Sequence, residues 1–169
     1  MEMNTQEVKK DYRPLGGVSG LGGWLVLVQI VLYLNLILLV FQLLQYNLPS
    51  FSPDVWGVLT SKDSESYHPL WGPVIVFEAV ANALMFFYCI LLLVFFYNKK
   101  AILPRMMIIF YAAGLFVSIM DYVLALQIPA IREMEDGSSL QDLSRSIVST
   151  AIWIPYFLRS KRVHNTFVN

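Results

Sequence analysis

The sequence predicts an all-α fold: a polytopic integral membrane protein built as a bundle of four transmembrane helices, with both ends in the cytoplasm. Three observations predict it. Hydrophobic residues make up 57% of the 169-residue chain and charged residues only 14%, against a usual charged share of about 25%. Four stretches are long and apolar enough to supply the roughly 20 helical residues that a hydrocarbon core demands. Basic residues collect at one set of stretch ends and acidic residues at the other. Helices rather than strands follow, because backbone polar groups in lipid need internal partners and four strands cannot close a barrel.

The membrane domain is expected over residues 24–158, between a cytoplasmic segment at 1–23 and a basic cytoplasmic segment at 159–169. The first span covers about 24–46. It exceeds the roughly 7–15 apolar residues of a signal sequence and lacks a small-residue cleavage pattern, so it is expected to stay as an anchor. Before it runs Gly16-Gly17-Val18-Ser19-Gly20-Leu21-Gly22-Gly23. No Gly-Lys-Ser/Thr element follows and no strand precedes, so a turned entry to the helix is expected rather than a phosphate loop.

The second span covers about 73–97, with Pro73 where a first helical turn tolerates it. The third opens at Pro104 and covers about 104–128, stopping before Pro129. The fourth, about 140–158, is the least hydrophobic. Ser139 and Asp142 have the spacing of an amino-terminal cap ahead of it, and Pro155 interrupts it, freeing the carbonyl of Ala151. In the long loop 47–72, Ser52-Pro53-Asp54 signals a short helix through about Thr60. Trp56, Tyr67 and Trp71 suit a membrane–water interface.

Orientation follows from the basic residues. Lys9, Lys10, Arg13, Lys99, Lys100, Arg105, Arg159, Lys161 and Arg162 fall on one side, and only Lys62 and Arg132 on the other. The first group is therefore placed in the cytoplasm. The outer loops carry Asp54, Asp63, Glu65, Glu133, Glu135, Asp136 and Asp142. Twelve basic and twelve acidic residues cancel overall, leaving no field to attract nucleic acid. Cys89 is the one cysteine, which excludes an intrachain disulfide and reads as a small core residue. His68 and His164 fall on opposite sides of the membrane, so they cannot share a metal. No metal site or cofactor is expected.

Inside the spans the ionisable side chains that need explaining are Glu78, Asp121 and Arg145, since each charge is costly in hydrocarbon. At about 1.5 Å of rise per residue, Glu78 lies roughly 7 Å from the outer end of its span, Asp121 roughly 9 Å, Arg145 roughly 6–8 Å and Gln42 roughly 6 Å. A deeper tier of Asn35, Asn82, Ser118 and Ser149 lies roughly 12–16 Å in. Each deeper residue shares a helical face with the upper one on its span, at a spacing of three, four or seven. Gly114 continues that face on the third span and permits close approach. The expectation is a polar seam widening toward the outside. In one reading Arg145 bridges Glu78 and Asp121 and fixes the packing. In the other the carboxylates line a cavity for a proton, cation or small polar solute.

At the far end, Tyr156, Ser160, Val163 and Phe167 recur at helical spacing. They predict a continued helix at headgroup level, with Arg159, Lys161 and Arg162 near anionic lipid, and three charges are expected to fix topology rather than to recognise a particular lipid. The opening Gly22-Gly23-Trp24-Leu25 and the closing Trp153, Tyr156-Phe157, Ser160, Arg162-Val163 and Thr166-Phe167 resemble an uncharacterised bacterial inner-membrane family, domain of unknown function 2569. The resemblance covers about 16–168. It implies a four-span protein of the bacterial inner membrane and supplies no activity, substrate or catalytic residue. No HExxH, GxSxG or CxxC occurs, so a non-enzymatic interaction, assembly or accessory role is expected, with lipid and a membrane-protein partner or a homo-oligomer. The alternative is an oligomeric transporter or channel for protons, cations or small polar solutes.

Overall fold

Peptide groups entering hydrocarbon must be paired within their own segment, and each regular element of the computed structural model is a helix. Residues 19–169 are described; Lys9, Lys10, Arg13, Gly16, Gly17 and Val18 lie outside them. The elements are α1 (Trp24–Ser50), α2 (Pro53–Thr60), α3 (Trp71–Tyr97), α4 (Leu103–Ala125), α5 (Pro129–Met134), α6 (Ser138–Arg159) and α7 (Lys161–Thr166). Three of them, α1, α3 and α4, are long and apolar enough to cross a membrane, with mean hydropathies of 2.6, 2.5 and 2.0. The chain is a helical membrane protein. Helix α6 has 22 residues but is amphipathic and more polar.

Helix α1 outruns its expected end. Its turns widen over Leu43–Asn47, where the amide of Leu48 bonds the carbonyl of Leu43, and Pro49 follows with no amide to give. At α6 the cap differs from expectation. Ser139 and Asp142 do not cap the helix. Gly137, at φ +90°, turns the chain into it. The Glu135 carboxylate accepts from the amides of Gly137 and Ser139, both at 3.0 Å, and from the Ser139 hydroxyl. Asp136 accepts from the amide of Ser138 at 3.0 Å. The acids precede the helix because its first amides are unpaired and its amino end is partially positive. Helix α2 follows the expected bounds. It rests on the start of α3, where a side chain at Gly72 would meet Thr60 and Trp56.

The long helices pack in chain order, α1 on α3, α3 on α4 and α4 on α6. The buried core is concentrated at one end: Leu25, Val28 and Leu32 of α1, Cys89, Leu92 and Phe96 of α3, Leu103, Met107 and Phe110 of α4, and Phe157 of α6. Each packed pair there also carries a side-chain bond to a main-chain carbonyl. The Cys89 thiol donates to Leu32 (3.5 Å), Tyr88 to Met106 (3.1 Å) and Thr150 to Tyr111 (3.3 Å). These bonds help lock the register of helices that otherwise meet through apolar contacts. The outward apolar side chains, such as Ile37, Leu84, Phe87 and Phe116, are left for lipid to cover.

The expected continuous helix past Tyr156 does not form. The chain turns at Ser160 (ψ 114°), whose hydroxyl caps α7 by accepting from the amide of Val163 at 3.3 Å. The turn redirects Val163, Thr166 and Phe167 into the core, where all three are buried. Phe167 packs on Phe96 with ring centroids 5.6 Å apart. The Thr166 hydroxyl accepts from the amide of Gly20 at 2.9 Å. Residues with this much apolar surface are stabilised more by the bundle end than by headgroups. Arg162 lies across Gly22 and Gly23. A Cβ at Gly23, whose φ is +62°, would stand 3.2 Å from the guanidinium carbon. The paired glycines therefore serve as a seat for an arginine as well as a turn.

Candidate intramembrane polar site

Helices α3 and α4 run antiparallel, and the ring stack of Tyr88 on Phe110 sets their register. Toward the opposite end of the pair, that register brings Glu78 level with Asp121, close enough for the two carboxyl groups to interact. Both residues are partly buried. One turn further along α3, the Asn82 amide donates to Oδ1 of Asn47 at 2.9 Å. Asn47 is almost wholly buried.

Asn47 was not among the residues expected to form the site. It lies 15 residues beyond Leu32, which an ordinary α-helix would leave about 60° off the packed face of α1. The widened turn at Leu43–Asn47 takes up that angle and swings the amide onto α3. The signal in the sequence is an amide followed by Pro49 at the end of an apolar run.

Arg145 is not the bridge between the two acids. It pairs with Asp142 at 2.9 Å on the surface of α6, with side chains 66% and 71% exposed. This is the one ion pair among the described residues. The reason is helical phase. Thr150, Trp153 and Phe157 turn to α4, as the Thr150 bond and the Trp153 stack on Tyr111 show, and Arg145 falls roughly 80–140° around the helix from them, off that face. Gln42 is likewise exposed, since it precedes the widened turn. The Asn35 amide bonds the carbonyl of Val31 in its own helix at 2.9 Å. Ser118 is partly buried one turn from Asp121. Ser149 joins Gln141, Ser144, Arg145 and Val148 in an open groove of about 360 Å³ along α6. A second groove of about 450 Å³, between α3 and α4, is apolar and lined by residues such as Phe77, Ala81, Leu84 and Val117.

The structure thus brings together Glu78 with Asp121 and Asn82 with Asn47, and leaves Gln42, Asn35 and Arg145 apart. In the loop beyond, bonding to Ser139 holds the Glu135 carboxyl below its ordinary range, and bonding to Ser138 does the same for Asp136. Among the described residues no three His, Cys, Asp or Glu side chains converge as metal ligands do.

The family model for protein of unknown function (DUF2569) matches residues 18–168. The chain belongs to this family. Similar to the chain is inner membrane protein YdgK of Escherichia coli (strain K12), 31% identical over 149 residues, which cover 88% of this chain and 94% of that protein. No solved structure matches. The DUF2569 assignment extends from the Gly-rich entry to the docked carboxyl-terminal segment, so both closing partners, Gly22-Gly23 and Arg162, fall within the matched region.

Proposed function

We propose that this chain is a four-span protein of the bacterial inner membrane, both ends cytoplasmic, that works without catalysis by binding another membrane protein. The carrying observation is the face of α6 turned away from α4. Gln141, Ser144, Arg145 and Ser149 line its groove, with Arg145 and Asp142 largely exposed. With α6 as the fourth span, these groups meet lipid unless a partner helix covers them, and interhelical polar contacts are a recurrent basis of association in membranes. The expected orientation rests on Lys99, Lys100, Arg105, Arg159, Lys161 and Arg162, which all belong to the end opposite Glu78 and Asp121. The test is cysteine crosslinking in native membranes on a Cys89→Ser background. Ser144→Cys and Val148→Cys should join one stoichiometric partner, whereas Ile147→Cys, off the face, should not. Equal yields at all three positions would sink the reading.

A second reading, an oligomeric pathway for protons, cations or small polar solutes, is favoured by one specific observation. Glu78 and Asp121 stand level with each other, the one ion pair among the described residues involves neither, and intramembrane acids of this kind mark pathways by default. Glu78→Gln and Asp121→Asn should then abolish flux in proteoliposomes while leaving thermal unfolding near that of the parent. Undiminished flux in both variants would remove the site from that role.

A further inference from the structure

One end of the molecule gathers cations that the sequence separates. Lys99 and Lys100 sit in the α3–α4 turn, Arg105 in the first turn of α4, Arg159 at the close of α6, and Lys161 and Arg162 on α7. The docked chain end holds them together. The amide of Asn169 donates to the carbonyl of Lys99 at 3.2 Å, and the amide of Ala101 donates to Asn169 at 2.7 Å. The Asn169 side chain reaches the carbonyl of Asn98 at 3.4 Å, and Phe167 anchors the same segment on Phe96. Residues 79–120 and 143–169 contain no acidic side chain, so at most the carboxyl group of Asn169 stands against the six cations on these segments. The amino end of α1, under Arg162, has no side-chain cap and no acid in its first turn. Its partial charge has the same sign.

The surroundings fix what kind of counter-ion fits. Lys99, Lys100, Arg105, Arg159 and Lys161 are exposed, and beside them stand the exposed apolar side chains Tyr97, Ile102 and Leu158. These belong to helix ends that meet hydrocarbon. A ligand for such a rim carries an anionic head and an apolar tail. We infer that the docked α7 segment and the α3–α4 turn together form a binding surface for anionic phospholipid headgroups. The lipid phosphate and glycerol head meet Lys99, Lys100 and Lys161, and the acyl chains lie along Tyr97, Ile102 and Leu158. This surface differs from a topology signal, which acts during insertion and needs no assembled geometry. It is also independent of the α6 partner face.

The test uses the full chain in nanodiscs of phosphatidylglycerol or phosphatidylcholine, and native mass spectrometry of lipid retained from a mixture of the two. Phosphatidylglycerol should raise the unfolding temperature relative to phosphatidylcholine and be retained about tenfold over it, in keeping with several cations each favouring an anionic surface. A Lys99→Gln, Lys100→Gln, Lys161→Gln variant should bring retention near parity, and the matching triple Arg variant should keep the preference. Equal retention of the two lipids by the parent chain overturns the inference, and this comparison decides even where the Gln variant fails to fold. An unchanged preference in a folded Gln variant overturns it as well. So does an equal stabilisation by inorganic phosphate in neutral detergent, which would move the ligand from lipid to free anion.

Discussion

The two ends of the helix array are built on different principles. At the basic end, α1, α3, α4, α6 and α7 converge on Phe96, Phe157 and Met107, and the chain terminus is hydrogen-bonded across the α3–α4 turn. At the acidic end few side chains are buried, among them Val74, Ile75, Asn47 and Ile128. The contacts there are polar: Asn82 bonds Asn47, and Glu78 stands level with Asp121. Lipid is as apolar as the helices, so it gives no hydrophobic drive to close them. Where aromatic packing and main-chain bonds are supplied the helices are locked. Where single polar pairs are supplied, they are held at a few points.

The largest effect that could break this contrast is in the locked end. Phe96 is fully buried, whereas Phe87, on the same helix, is 68% exposed. Phe96→Ala should cost about 3–5 kcal/mol through the cavity it leaves, and Phe87→Ala under about 1 kcal/mol, since lipid or detergent refills its place. Thermal unfolding in one detergent measures both. Similar losses for the two would show that the array is uniformly packed.

An intermediate effect sharpens the contrast at the other end. A double-mutant cycle of Asn47→Ala and Asn82→Ala should return a coupling of about 0.6 kcal/mol, and at most about 1.7 kcal/mol, the range for polar pairs between membrane helices. Coupling near zero would mean that the widened turn of α1 serves something other than this bond. The membrane class, three of the four apolar stretches and Cys89 as a core residue were legible because length and hydropathy alone decide them. Glu78 and Asp121 fall at one level because each lies on an uninterrupted α-helix, where spacing reports depth and face together. Asn47 and Arg145 were not legible. The first depends on a local change of helical pitch, and the second on which side of an amphipathic helix meets its neighbour. Neither quantity is carried by residue spacing. Val163 and Phe167 were misplaced for a related reason, since one residue in extended conformation at Ser160 turns a surface helix into a core anchor.

The smallest effect lies in the loop entering α6 and concerns pH. Hydrogen bonds from Ser139, then from Gly137, lower the Glu135 carboxyl below its ordinary value of 4.5, and those from Ser138 lower Asp136 below 3.8. A carboxyl with a depressed folded pKa stabilises the folded state in full above its unfolded value. That contribution is lost as pH falls through the depressed one. The clasp at the start of α6 should therefore be intact at neutral pH and released only on acidification below the ordinary carboxylate range. Hydrogen exchange of the Gly137, Ser138 and Ser139 amides, corrected for intrinsic rates, reads this directly. Protection should fall on acidification in the parent chain. In Glu135→Gln it should be weaker at neutral pH and change less, with Asp136 supplying what dependence remains. Both carboxyls are in contact with water, so solvent screens the gain and the effect should stay local to the first turn. Acid-induced loss of protection extending to Thr150 or Trp153 would tie the loop to the packed end, and the division of the molecule into two unlike halves would fail.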